Sequence, residues 1–256
     1  MVTIGMDIGG THIRTGAVGR DGGLSCFETV LQKEILSRTG AAESLAAYLN
    51  AFVRRHGLEK QVAALGAGLP ATLSKDKDTV LSAPNIEGLD GIPLRDALQE
   101  RLGLPVFLLK DVSALFAYDR NVLPVQGVEV ALACYVGTGI GNAICLNGKI
   151  FEGENGSAGE LGHIPVRGFS EPCGCGNSGC AEVFCGGRYL AALRAEAFPD
   201  TPMEALFERH ADHPLLKDYI ERLALPIAAE VNILDPGALI LGGGVISMRG
   251  FPLEAL

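Results

Sequence analysis

The 256-residue chain has no tryptophan, no run of five lysines or arginines, and fewer basic than acidic residues, 21 against 30. Its net charge of −9 and the lack of a basic stripe exclude the electrostatic footprint of a nucleic-acid-binding domain. No basic stretch leads into an apolar one near the first residue, so no signal peptide is expected. An uninterrupted membrane span is also missing. The most apolar stretch, residues 130–146, contains Gly137, Thr138, Gly139, Gly141 and Asn142, which break a helix and suit a turn between two buried strands. A cytoplasmic protein without nucleic-acid or membrane partners is expected. There is no Walker-type loop with its Lys-Ser/Thr, and no dinucleotide fingerprint running directly into a helix. Nor do the cysteines suggest a disulfide framework. Seven is an odd count, and three crowd between positions 173 and 180, which is metal-ligand spacing in a reducing compartment.

Apolar material, by contrast, is ample. Hydrophobic residues make up 48% of the chain, enough for the cores of two small domains. Residues 2–8 read as a buried strand, then a Gly-Gly-Thr turn, then a second strand at 13–18; 24–31 suits a third. Leu45, Leu49, Phe52 and Val53 recur at helical spacing, so 41–56 reads as an amphipathic helix. Strands are expected at 62–69 and 106–109, with a helix at 94–102. The strand at 106–109 delivers Lys110 and Asp111 at its C-terminal end, where open α/β sheets place their ligands. The opening plan then recurs: 130–136, Gly137-Thr138-Gly139 and 141–146 again read strand, glycine–threonine turn, strand. Two such hairpins, one opening each half, point to a duplicated α/β domain with a cleft between the copies. A cysteine-rich loop at 171–180, helices at 186–197, 203–210 and 215–233, and a strand at 238–241 complete the second half. We place the domains at 1–115 and 116–256.

Asp7-Ile8-Gly9-Gly10-Thr11 directly follows a buried strand. Its glycines let backbone N–H groups approach a phosphate, Thr11 adds a hydroxyl, and Asp7 suits a hydrated Mg²⁺. A tight hairpin without a ligand accounts for the same residues. Gly137 to Gly141, and Gly242-Gly243-Gly244, fit ligand turns and simple strand ends equally well, but three glycine turns at strand ends carry more weight together. His163, Cys173, Cys175 and Cys180, with glycines between them, form a closed set of three thiolates and one imidazole of the structural zinc type. The competing reading is a cluster of reduced thiols. Glu160, three residues before His163, suits the hydroxyls of a polyol or simply braces the imidazole. Asp111 is either a general base for an attacking hydroxyl or a helix cap for residues 112–120.

Together these residues resemble the ROK family of bacterial sugar kinases and related repressors, over essentially the whole chain. The resemblance is carried by Gly159-Glu160-Leu161-Gly162-His163 and by Cys173-Gly174-Cys175-Gly176-Asn177-Ser178-Gly179-Cys180-Ala181-Glu182. It implies the duplicated two-domain actin-like ATPase (ribonuclease H-like) fold. It also implies Mg²⁺-assisted transfer of phosphate from ATP to a hexose hydroxyl, at C6, by a homodimer with structural Zn²⁺. Asp7, Gly9, Gly10 and Thr11, with Gly137, Thr138, Gly139 and Gly141, would bind phosphates, and Gly242 and Gly243 would lie on the adenosine side. Asn85, Asp111, Glu160, His163 and Glu182 would contact the sugar, with Asp111 catalytic and His163 giving one nitrogen to zinc and one to sugar. The stretches Leu73 to Lys77, Ser82 to Asn85, Gly159 to Pro165 and Asn232 to Pro236 are similar to the branch that phosphorylates D-allose. Two departures stand out. Lys110 and Ser113 occupy positions where many members have Asn, and the chain stops at Leu256, so the family's last C-terminal segment is expected to be absent. The alternatives are a non-catalytic sugar-binding remnant and a sugar-responsive repressor. A repressor would carry a winged-helix domain ahead of the first glycine turn, for which residues 1–6 leave no room.

Overall fold

The computed structural model describes residues 1–36 and 40–256. They form two compact units, one of Met1–Leu115 with Glu154–Gly156, the other of Phe116–Gly153 with Ser157–Leu256.

The first unit opens with the antiparallel strands β1 (Val2–Ile8), β2 (His12–Val18) and β3 (Leu24–Leu31), then a one-turn α1 (Gln32–Ile35) and α2 (Ala41–Arg55). Period-two burial of Ile4, Met6 and Ile8 on β1 meets the helical stripe Leu45, Leu49 and Phe52 of α2 in one core. β4 (Val62–Leu69), the small hairpin β5 (Thr72–Leu73) and β6 (Val80–Ser82), α3 (Leu94–Leu102) and β7 (Val106–Lys110) follow, and the unit ends within α4 (Asp111–Val122), whose residues from Phe116 on belong to the second. Gly103 ends α3 at φ 66°, a left-handed C-cap that glycine adopts without a Cβ penalty. The sheet order is β3-β2-β1-β4-β7, with β1, β4 and β7 parallel. Asp7 pairs with Gly68, and Leu69 with Lys110. The register therefore brings the ends of β1, β4 and β7, and the first residue of α4, to one edge of the sheet.

The second unit contains β8 (Ala131–Val136), β9 (Ile140–Leu146), β10 (Lys149–Ile150), α5 (Glu182–Cys185), α6 (Gly187–Ala197), α7 (Leu206–His210), α8 (Pro214–Leu234) and β11 (Ala238–Gly242). Every residue of β8 is buried, as befits a strand covered on both faces. The order β10-β9-β8-β11, with β11 parallel to β8, repeats β3-β2-β1-β4. The recurrence of the hairpin in sequence thus extends to the strand order of both sheets.

Some elements differ from expectation. The stretch 203–210 is a 3₁₀ turn, Met203–Ala205, and then α7, because Ala205 at φ −100°, ψ 2° leaves helical geometry. Helix α8 runs through Pro226, which removes one N–H donor, while Leu216, Tyr219, Ile220, Leu223 and Ile227 hold its apolar face in the core.

Beneath β9, Glu230 of α8 is 8% exposed. Its carboxylate accepts Nδ2–H of Asn142 at 2.8 Å, and the same amide donates to the Ala133 carbonyl at 2.9 Å. Burial pushes the Glu230 carboxyl up to about 7, whereas in the unfolded chain it ionises near 4.3, taking about that reference value. Because the folded value is raised, no penalty exists below the unfolded value. The penalty grows as the pH rises between the two and is complete above the folded value. Glu230→Gln keeps an acceptor for Asn142, so it should stabilise the protein at pH 8 by up to about 3 kcal/mol. The gain should shrink to about 1 kcal/mol near pH 5 and vanish below about pH 4, as urea unfolding across this range would register.

Candidate active site and metal centre

In the first unit, the turn between β1 and β2 is closed by the Gly9 N–H donating to the His12 carbonyl at 2.9 Å. A Cβ at Gly10 would lie 3.0 Å from the Asn85 carbonyl and 3.2 Å from its Cβ. Glycine there lets the hairpin and the Asn85 loop touch, so two of the sequence-derived site elements meet. That loop is itself pinned by Asp90, whose carboxylate accepts the Ala83 N–H at 2.6 Å. Between Gly40 and residues 83–92 lies a recess of about 730 Å³ into which this loop faces.

Asp7, at the end of β1, takes Arg14 Nη1 at 2.7 Å on Oδ2. Sequence reasoning missed Arg14. Its only signal is the cross-strand register, in which Asp7 and Arg14 are partners. Asp7 remains half-exposed, which fits contact with a magnesium ion through water.

Asp111 begins α4 at the C-terminal end of β7, and its Oδ1 accepts the Val112 N–H at 2.8 Å. Burial lifts its carboxyl above the ordinary aspartate value. The Val112 hydrogen bond opposes this, the charge of Asp7 adds to it, and Lys110 counters weakly. The side chain is thus a fixed, partly desolvated carboxylate beside a second one, a setting that favours proton acceptance.

In the second unit, Gly137 N–H donates to Gly139 O at 3.0 Å across the β8–β9 turn. Gly141, at the start of the expected second strand, lies in the β9 ladder opposite Tyr135. Gly242 ends β11 against the Tyr135 ring, whose nearest atom would be 3.0 Å from an added Cβ. Gly243 has φ +93° and sits against the Val136 backbone, so both conformation and space require glycine. The Val245 N–H donates to Val136 O at 2.9 Å. The two glycine turns of this unit therefore meet at the end of β8.

Glu160 precedes the 3₁₀ turn Leu161–His163. Its Oε2 lies 3.9 Å from His163 Nε2, while His163 Nδ1 lies 3.5 Å from Cys173 Sγ. The imidazole faces the carboxylate with one nitrogen and the cysteine loop with the other. Cys175 Sγ and Cys180 Sγ are 3.6 Å apart, and the four ligand atoms all fall within 4.8 Å of one another. Bond lengths of about 2.3 Å to sulfur and about 2.0 Å to nitrogen place neighbouring ligands of a tetrahedral zinc about 3.5–3.8 Å apart. The His163–Cys173 and Cys175–Cys180 pairs already stand at that spacing and the remaining pairs lie within 4.8 Å, so the donor set fits zinc. Glu182, two residues after Cys180, directs Oε2 to the Ile140 N–H at 3.2 Å, and its Oε1 lies 3.7 Å from Cys173 Sγ.

Glycine turns closing the strand ends of two like sheets, with an aspartate opening the helix after β7, define an actin-like ATPase fold of the phosphotransferase class. The family model "ROK family" matches residues 3–256, and the chain belongs to the ROK family. It is 29% identical over 268 residues to a glucokinase of Streptomyces coelicolor, covering 95% of this chain and 82% of that one. It is 28% identical over 260 residues to an N-acetyl-D-glucosamine kinase of Pectobacterium carotovorum, covering 94% and 83%. The solved ROK glucokinase of Streptomyces griseus, in complex with glucose and AMPPNP, superposes with a TM-score of 0.76 at 31% identity, over 96% of this chain and 84% of that one.

The chemistry of the donor set leads to a direct test. Protein purified without added zinc should carry one zinc per chain by metal analysis, and Cys180→Ser, at a buried ligand, should lose the metal and destabilise the loop. Folded, reduced wild-type protein with essentially no metal would refute the assignment.

Proposed function

We propose that this ROK-family protein transfers the γ-phosphoryl group of ATP to the C6 hydroxyl of an aldohexose, with D-allose ahead of glucose, mannose and N-acylated amino sugars. The observation that carries the reading is Asp111: a carboxylate fixed by Val112, raised by burial, and on the same sheet edge as the Asp7–Thr11 hairpin. Asn85, packed on that hairpin, supplies an amide for sugar hydroxyls. The family resemblance gives Glu160, His163 and Glu182 sugar-contacting roles as well. Phosphates take the backbone N–H groups of the Gly9–Thr11 and Gly137–Gly139 turns, and the nucleoside takes the Gly242–Gly243 side. Bound Mg²⁺, near Asp7, would neutralise charge on the phosphates. Asp111 orients the attacking oxygen and accepts its proton, while the turn N–H groups meet the charge on the transferring group.

The allose preference rests on the loop similarities at 73–77 and 82–85 and on Lys110 at the sugar end of β7. We also propose that the protein works as a homodimer in the cytoplasm; none of its described helices is long and apolar enough to cross a membrane. A coupled ADP-release assay over a hexose panel tests the substrate, and a higher kcat/KM for an N-acetyl sugar would overturn the allose assignment.

Asp111→Asn keeps the shape but loses the base, so kcat should fall about 10²-fold or more while sugar affinity, titrated without ATP, changes far less. Asn85→Ala should do the opposite. Asp111 must be ionised to accept a proton and its folded value is raised. In wild type, kcat should therefore decline with falling pH through a midpoint above about 3.9, the ordinary aspartate value. A near-wild-type kcat in Asp111→Asn would leave it a helix cap only.

A further inference from the structure

In the second unit, the segment that carries the last zinc ligand also wraps the glycine turn of the β8–β9 hairpin. Glu182 accepts the Ile140 N–H at 3.2 Å and fills the space where Gly139 would carry a side chain. At the start of α6, the Gly187 and Arg188 N–H groups donate to the Gly137 and Thr138 carbonyls, each at 2.9 Å. A Cβ at Gly187 would collide with the Gly137 carbonyl, so this contact admits only glycine. The carbonyls of the turn are thereby drawn to α6. Among the described residues, the N–H groups of Thr138 and Gly139 have no acceptor, which is the polarity an anionic phosphate requires.

The other end of the same segment belongs to the metal loop. Glu182 Oε1 lies 3.7 Å from Cys173 Sγ, and Cys180 is two residues upstream. Main-chain ties between the loop and the strand after His163 are few: Val166 N–H to Gly179 O at 2.8 Å and Ala181 N–H to Ile164 O at 3.0 Å. Four side chains converging on one ion would add a restraint on residues 173–180, which lead directly into Glu182.

We propose that Glu182 is a positioning residue that couples zinc occupancy to nucleotide affinity: zinc sets the place of Glu182, and Glu182 sets the turn that receives the phosphates. The coupling rests on the nucleotide reading above but adds to it a link between two separate sites. Linkage makes it reciprocal, so nucleotide tightens zinc by the factor by which zinc tightens nucleotide.

The experiment uses the zinc-loaded protein and Mg·ADP without sugar, which keeps any contact of Glu182 with a hexose out of the measurement. Saturating ADP should raise the affinity for zinc, measured by competition with a chromogenic chelator, by about tenfold, within the usual range for such couplings. In Glu182→Ala the zinc content should stay at one per chain, the ADP Kd should rise by about the same factor, and ADP should no longer protect the zinc. Glu182→Gln retains a carbonyl acceptor for Ile140 and should keep most of the coupling. Equal zinc affinity with and without bound ADP, or full protection in Glu182→Ala, overturns the proposal while leaving the kinase reading intact. Failure of ADP to bind the zinc-loaded wild type would overturn the kinase reading, and this inference with it.

Discussion

A backbone turn that is to receive phosphate, as we propose for both hairpins, must leave its N–H groups open while its carbonyls are held elsewhere, and much of this structure is compatible with that constraint. In the first hairpin the Thr11 carbonyl is taken by the Gln32 N–H of α1 at 2.8 Å, and Gly9 is tied to His12. In the second, the Gly137 and Thr138 carbonyls go to the N-terminus of α6. An α-helix has four N–H groups without intrahelical partners at its start. Here two of them are satisfied by the turn rather than by a capping side chain, and α6 shows no side-chain cap. The need for close approach explains glycine at Gly10, Gly139 and Gly187 better than backbone flexibility does, because the limiting factor at each is a neighbouring atom.

The metal loop meets a related problem by different means. Residues 171–180 contain three glycines and three cysteines and few groups able to form a core. A loop of that composition pays conformational entropy that apolar burial does not offset. A closed tetrahedral centre would supply the missing order. His163 ties the loop to Glu160, and Glu182 ties it to the β8–β9 turn.

Much of the fold was legible because it rests on local patterns. The strand–glycine–strand plan at 2–18 and 130–146, the helical stripe of α2 and the cysteine spacing all lie within short windows of sequence. What could not be read depends on pairs far apart in the chain. Arg14 on Asp7 follows only once the β1–β2 register is known. Glu182 on Ile140 spans 42 positions and Glu230 on Asn142 spans 88. The hairpin β5–β6 and the helix α1 are too short to display a period.

Asp111 carries a local contact as well as its proposed functional role. Its Oδ1 accepts the N–H of the next residue, Val112, at the first turn of α4. That bond occupies one oxygen and fixes the rotamer, and a base needs the same fixing if it is to orient an attacking hydroxyl. The effects on its protonation are opposed. The Val112 hydrogen bond favours the ion, while burial and the charge of Asp7 favour the acid, and the latter prevail. The Val112 bond thus keeps the carboxylate in place while burial and the Asp7 charge raise its affinity for a proton.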